Sequence, residues 1–388
     1  MNRIVIITAS VFFFLIGCTE KPVEEKVFPA IKELRKKYAP DKRVAVFNIK
    51  TYERGDAIVV VGDVEQKEAK REILQVLALE KKQIIDSVTV LPDEKLGDKR
   101  WGIITVSVAN MRSDPGEDAE MGSQVLMGNI VRILKKKSGW VYIQSPDKYL
   151  GWADPDQMIR VTESKAKEWK EEKQVFVTSY HGFVQQEPSS QSFPVCDITG
   201  GALFQNLGAS GEWVKVGLAD GRTGYIQQSF VIDYEKWGTT LTPVADNIER
   251  TGKYLLGVPY LWGGTSTKGV DCSGFTKTVY LLNGQMLRRD ANQQAEEGEA
   301  IEPGEKFENL KKGDLLFFGR KAEYGKSEKI VHVAIFLGNR KYIHSSGSVR
   351  INSFDPDSPL FNEGNLNRFV RARRVIASTP KVAEVKMK

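Results

Sequence analysis

Residues 257–275 read Gly-Val-Pro-Tyr260-Leu-Trp262-Gly-Gly-Thr265, then Ser-Thr-Lys-Gly-Val270, then Asp271-Cys272-Ser273-Gly274-Phe275. The first part is a loop in which glycines hold two aromatics. The last part opens an apolar stripe, Phe275, Val279 and Leu282, at helical spacing. Cys272 therefore falls in the first turn of a helix, where unpaired backbone N–H groups and the helix dipole favour negative charge. That position predicts a lowered thiol pKa and a larger thiolate population. The same N–H groups are placed to hold a developing oxyanion. A free Cys is more often a small buried hydrophobe, but Asp, Ser and Gly surround this one instead of an apolar run.

A nucleophile needs a base, and two of the three histidines lie downstream. Ile330-Val-His332-Val-Ala-Ile-Phe-Leu337 alternates as a strand, Gly338-Asn339-Arg340 gives a turn, and Lys341-Tyr-Ile-His344 returns as its partner. The two histidines should be opposite or diagonal on one face, with Cβ atoms about 5–8 Å apart. One can then hold the other in the tautomer that accepts the thiol proton.

The rest of the composition narrows the chemistry. At 388 residues the chain has room for two to four domains. Its 56 Lys+Arg against 50 Asp+Glu leave a net charge of +6, spread along the chain and with no basic helix, so no nucleic-acid partner is expected. Three Cys make no disulfide framework. Three His, with no His-Glu-x-x-His or paired Cys-x-x-Cys, predict neither a metal site nor another cofactor. Cys196, beside Val195, reads as a core residue, and a Cys196–Cys272 disulfide would abolish the chemistry.

Outward from the site, the chain divides into segments. Met1-Asn-Arg3 followed by an apolar run to Ile16 reads as a signal peptide over 1–17. Its end, Leu15-Ile-Gly-Cys18, resembles the bacterial lipobox, with Cys18 as the lipidated new N-terminus. The protein is then expected to be exported and tethered to a membrane, facing the periplasm or the cell exterior. Residues 18–98 form a tether and a small α+β domain in the order α-β-β-α-β, with strands at Arg43–Tyr52, Ala57–Gly62 and Ile84–Leu91. A shift of 73 superposes Pro115 on Pro188, Trp140 on Trp213 and Gly151 on Gly224 without a gap. The repeat predicts two small barrels, at 99–161 and 162–235, the second preceded by a linker helix, with Trp140 and Trp213 in their cores. The domain with the Cys and His motifs covers 236–378, its first helix opening at Thr242-Pro243, and 379–388 is a tail.

Five motifs in order carry a resemblance: Pro-Tyr-Leu-Trp-Gly-Gly, Asp-Cys-Ser-Gly-Phe, Lys-Gly-Asp-Leu-Leu-Phe-Phe (312–318), His-Val-Ala-Ile-Phe-Leu-Gly and Tyr-Ile-His-Ser-Ser. They resemble the NlpC-type papain-like cysteine peptidases of bacterial cell walls. The repeats resemble bacterial SH3-type domains. The expected fold is therefore multidomain: a small α+β domain, two SH3-like β-barrels and a C-terminal papain-like α+β peptidase. The resemblance implies Cys272 as nucleophile, His332 as general base and His344 as the third polar member. The implied substrate is the γ-D-glutamyl bond to a diamino acid in peptidoglycan stem peptides. Two SH3-type domains before the peptidase resemble a narrower group of exopeptidases that require a free L-alanine amine. Carboxylates would recognise that ammonium, Asp271 and Asp290 from the peptidase and Glu120, with Tyr149, from the first barrel. Tyr260, Trp262 and Ser273 would line the pocket, with Tyr260 donating to the oxyanion. Cleavage of the same bond within intact peptidoglycan, and a non-catalytic wall-binding lipoprotein, are the competing readings.

Overall fold

The computed structural model describes residues 25–376. The expected signal peptide, Cys18 and the whole of the C-terminal tail lie outside the described residues. Among the described residues, no helix is long and apolar enough to cross a membrane.

The chain divides into two units. The first comprises residues up to Pro40 together with Phe47–Val90. Its elements run α1 (Pro29–Tyr38), β1 (Phe47–Arg54), β2 (Ala57–Val64), α2 (Lys67–Ala78) and β3 (Gln83–Val90). β1 pairs antiparallel with β2 across the turn at Gly55, and β3 lies parallel to β2. Ala69, Ile73 and Leu77 form the buried stripe of α2, as helical spacing requires. The strand expected from Arg43 begins only at Phe47, because Asp41–Val46 belongs to the other unit. There Leu150 N–H donates to the Arg43 carbonyl, and Val46 packs in one cluster with Leu91, Leu134 and Leu150.

In the second unit the repeat becomes visible as topology. β4 (Trp101–Ile104), β5 (Val108–Arg112), β6 (Met121–Leu126), β7 (Ile130–Lys137), β8 (Trp140–Gln144), β9 (Leu150–Ala153) and β10 (Met158–Val161) form one sheet. Helix α3 (Glu163–Glu171), capped by the Thr162 side chain, leads to the second. That sheet comprises β11 (Gln174–Val177), β12 (His181–Gln185), β13 (Pro194–Thr199), β14 (Leu203–Ser210), β15 (Trp213–Gly217), β16 (Thr223–Gln227) and β17 (Val231–Asp233). The orders are 10-4-7-8-9-5-6 and, reversed, 17-11-14-15-16-12-13. Each strand of the second sheet thus occupies its counterpart's place, and each begins 73 residues after it, from Trp101 and Gln174 to Met158 and Val231.

The hydrogen-bonded order of each sheet runs from one edge strand to another and does not close a ring. Each sheet nonetheless curls about a single core to which every strand contributes, from Ile104 on β4 to Met158 on β10 in the first. Register shifts after Met111 and Ile133 supply the bends. Trp140 and Trp213, expected in the cores, are only half-buried, because strand alternation turns Val141 and Val214 inward instead.

The C-terminal part opens with α4 (Ala245–Tyr254), which begins two residues after Pro243 and not at it. Thr242 provides no cap, and Val244 is the cap residue. The extended residue that precedes the helix is Val244, at φ −118° and ψ 137°. A short hairpin of β18 (Thr265–Ser266) and β19 (Gly269–Val270) precedes α5 (Cys272–Leu281). Then come α6 (Ala291–Gln294), β20 (Glu299–Ile301), β21 (Leu315–Arg320), β22 (Lys329–Gly338), β23 (Lys341–Ser346), β24 (Ser348–Ser353), α7 (Glu363–Asn367) and β25 (Phe369–Arg374). The sheet order is 20-25-21-22-23-24. Phe275 and Val279 of α5 share a core with Phe317, Val333 and Ile335, which seats the helix carrying Cys272 on one face of this sheet. Phe318, Phe336, Tyr342 and Phe354 pack on the other.

Candidate active site

Helix α5 begins at Cys272, and the Asp271 side chain caps it by accepting from Gly274 N–H at 2.7 Å. The preceding loop is pressed directly onto the helix. A Cβ on Gly274 would meet the Gly264 carbonyl at 1.9 Å, so only glycine permits this approach. The Cys272 sulfur lies close to the Val333 backbone N–H, beside His332 on β22.

The hairpin is formed by a two-residue turn, Asn339-Arg340, with φ of 48° and 58°. Its register pairs Ile335 with Ile343, so His332 and His344 are diagonal neighbours. Their rings approach to 2.7 Å between His332 Nε2 and His344 Nδ1. His344 Nε2 lies 2.9 Å from Asn352 Oδ1 on β24. Because Asn352 Nδ2 donates to the Leu360 carbonyl, the amide oxygen must be the group facing His344. His344 is therefore protonated on Nε2 and accepts on Nδ1 from His332 Nε2–H. This leaves His332 Nδ1 as the nitrogen able to take a proton. Asn352 was not found from the sequence, since no motif carries it; pairing of β24 with β23 brings it there.

The expected lowering of the thiol pKa does not hold in the folded cleft. Burial, then the nearby Asp271 charge, pushes the Cys272 thiol up to about 11, against the opposing Val333 and Ser273 N–H groups. Burial also pushes His332 down to about 3 and His344 down to about 4. Thiol and imidazole thus rest neutral, so proton transfer must accompany attack. Burial holds the Tyr260 hydroxyl well above the usual phenol range, with further upward push from Cys272 and Asp271. It remains a hydrogen-bond donor beside the sulfur.

A cleft of about 350 Å3 runs from Cys272 to the first seven-stranded sheet. Tyr260, Trp262, Asp271, Ser273 and Asp290 line it from the C-terminal part, and Glu120 and Tyr149 from the sheet. All seven substrate-binding candidates therefore converge on one cavity, although they span 171 positions (120 to 290) of chain. Trp262, 61 % exposed, donates from Nε1 to Glu120 Oε1 at 2.7 Å, tying the two walls together. The Tyr149 hydroxyl lies near Asp290, whose charge adds to burial in holding it above the usual phenol range.

Asp271 cannot serve an ammonium as expected. Its carboxylate already accepts from Gly274 and Gly263 N–H, from Ser273 Oγ and from both Arg289 Nη groups, and it is buried. A carboxylate has about four acceptor sites, and these are taken. Arg43 was not anticipated at all. It lines the cleft and donates from Nη1 to Asp290 Oδ2 and Asn292 Oδ1, both at 2.8 Å, while Asp41 holds its other edge. No sequence spacing links residues 43 and 290.

Cys196 is half-buried at the edge of the second sheet's core, and His181 is exposed at the start of β12. Among the described residues both Cys196 and Cys272 are free thiols, and no cluster of three metal-binding side chains occurs.

The NlpC/P60 family profile matches residues 257–374, and the bacterial dipeptidyl-peptidase Sh3 domain profile matches 111–158. A gamma-D-glutamyl-L-lysine dipeptidyl-peptidase of Bacillus cereus is 30% identical over 66% of this chain and 76% of its own length. Dipeptidyl-peptidase 6 of Lysinibacillus sphaericus is 28% identical over 67% of this chain and 94% of its own. A crystal structure of an NlpC/P60 family protein from Bacillus cereus superposes with a TM-score of 0.61 at 26% identity, covering 71% of this chain and 99% of that one.

Proposed function

This chain belongs to the NlpC/P60 family and is a cysteine peptidase, and from that premise we propose that it hydrolyses the γ-D-glutamyl–diamino acid bond of peptidoglycan stem peptides bearing a free N-terminal L-alanine. The observation that carries this reading is the cleft itself. Cys272 lines it together with Glu120, Tyr149 and Asp290, so nucleophile and carboxylates share one cavity of about 350 Å3. The name of the Bacillus cereus relative, a gamma-D-glutamyl-L-lysine dipeptidyl-peptidase, supports a bond of this kind.

In this mechanism the Cys272 sulfur attacks the γ-carbonyl carbon while its proton passes to His332 Nδ1. The oxyanion is held by the backbone N–H groups opening α5 and by the Tyr260 hydroxyl. Collapse of the tetrahedral species breaks the C–N bond, and His332 returns the proton to the departing diamino acid amine. Water, deprotonated by His332, then cleaves the thioester and frees L-Ala-γ-D-Glu. His344 and Asn352 fix the tautomer throughout. The ammonium of L-alanine meets Glu120 and the Asp290–Tyr149 pair.

N-Acetylating the substrate amine removes the charge that these carboxylates would meet, at a cost on the order of 2–5 kcal/mol. The expected result is a fall in kcat/KM of at least about 30-fold against the free-amine tripeptide. Equal cleavage of free, acetylated and muramyl-linked stems would instead favour the endopeptidase reading. Export and membrane attachment through Cys18 complete the proposal. Fractionation tests this part: Cys18→Ala should shift the protein from the membrane to the soluble fraction, and an unchanged distribution removes the anchor.

A further inference from the structure

The Asp147 and Lys277 side chains, 8 % and 11 % exposed, form an ion pair at 2.8 Å between the first seven-stranded sheet and the middle of α5. Lys277 lies five residues, or about 1.4 turns, beyond Cys272. Its ammonium also donates to the Leu287 carbonyl at 2.9 Å, two residues before Arg289 and three before Asp290. Asp147 in turn accepts from Ser145 Oγ and from the Tyr149 backbone N–H at 3.3 Å. That turn is closed by Ser145 N–H donating to the Tyr149 carbonyl and Lys148 N–H to Ser145. One buried pair thus touches three things at once: the nucleophile helix, the segment presenting Asp290, and the turn presenting Tyr149.

Stability does not account for it. Exchanging a buried ion pair for apolar side chains of similar volume is commonly neutral or stabilising, because desolvation offsets the attraction. What an apolar pair cannot supply is direction. Lys277 fixes a carbonyl and a carboxylate at set angles, and Asp147 fixes a backbone N–H within one residue of the cleft. Tyr149 is then held at its backbone by Asp147, with its ring on the cleft near Asp290.

We infer that Asp147 and Lys277 are positioning residues for substrate recognition, a buried strut that sets the distance between Cys272 and the Tyr149–Asp290 end of the cleft. Neither side chain takes part in the bond-breaking steps. The inference deepens the free-amine reading and rests on it. Misplacing a recognition end by about 1 Å can cost on the order of 100-fold, so the strut should act on KM far more than on kcat.

The test compares wild type with D147N/K277M, which removes both charges, and with D147N, which keeps the shape and can still accept from Lys277. Folding is checked by circular dichroism and melting. The double variant should raise KM for L-Ala-γ-D-Glu-diaminopimelate by on the order of 10- to 100-fold. Its preference for the free over the N-acetylated tripeptide should shrink, while the rate of Cys272 alkylation by iodoacetamide stays at the wild-type value. D147N should fall between the two. Wild-type KM and wild-type preference in either folded variant would overturn the strut. Absence of any preference in wild type itself would sink the free-amine reading separately, with KM still reporting on the strut.

Discussion

Replacing Cys272 with Ser, or His332 with Ala, is expected to lower kcat on L-Ala-γ-D-Glu-diaminopimelate by about 10⁴-fold or more, since nucleophile and base act as a unit. The chain His332–His344–Asn352 adds a gradation. His344→Asn should be milder than His332→Ala, because an amide can still orient an imidazole. Asn352→Ala should be milder again, since it loosens the tautomer lock without removing a ring. The pH profile carries an independent signature. Burial holds His332 at about 3 and His344 at about 4, below the ordinary imidazole value near 6.5. The base therefore stays unprotonated, and competent, through the range where an exposed histidine would already be charged. Plotting kcat/KM from pH 4 to 9 should show no acid limb at 6–7. Near-native turnover by Cys272→Ser would remove the assignment of the nucleophile, and an acid limb at the ordinary histidine value would remove the buried neutral pair.

The second large effect is on stability. Asp271→Ala removes at one stroke the α5 cap, the acceptor of Gly263 N–H and the partner of Arg289, a guanidinium whose side chain is 2 % exposed. Breaking a buried pair leaves an uncompensated charge, and the expected loss is on the order of 3–5 kcal/mol. Asp271→Asn retains an oxygen for the cap and should lose less. Denaturant unfolding of the three proteins should rank them wild type, Asn, Ala. If Asp271→Ala unfolded at the wild-type midpoint while losing only affinity for free-amine substrates, the carboxylate would be a recognition group after all, and the reading of its hydrogen bonds would be wrong.

How much of this was legible beforehand depended on how local the signal was. The Cys272 helix was readable because a short Asp-Cys-Ser-Gly run followed by an apolar stripe is a local pattern, and its cap is made by the adjacent residue. The His pair was readable because a strand, a turn and a returning strand fix register within fifteen residues. The 73-residue repeat was readable because duplicated sequence keeps its spacing, and all fourteen strands obey it. Its core was read less well. Trp140 and Trp213 drew attention by size, whereas strand alternation decides which side faces inward.

The misses share a cause. Arg43 beside Asp290 and the Asp147–Lys277 pair join segments far apart in the chain, and Asn352, eight residues from His344, reaches it only through the pairing of β24 with β23; none of the three contacts is written in a motif. The thiol pKa was misjudged for a related reason. Helix position favours the thiolate, but burial by residues from elsewhere in the fold penalises any charge there, and the penalty dominates.

By itself, then, the sequence determined the residue types, the local elements that display them, and the poverty of Cys and His that left one set of catalytic candidates. Only the tertiary structure decided which carboxylates are open to a ligand and which are already spent. Asp271 and Asp290 look alike in the chain. In the fold Asp271 is buried and saturated by a helix end, a loop and a buried arginine, while Asp290, although it caps α6 and pairs with Arg43, stays 26 % exposed on the cleft. The physical reason is that a carboxylate's availability is set by how many donors surround it, and those donors arrive from segments that only folding brings together.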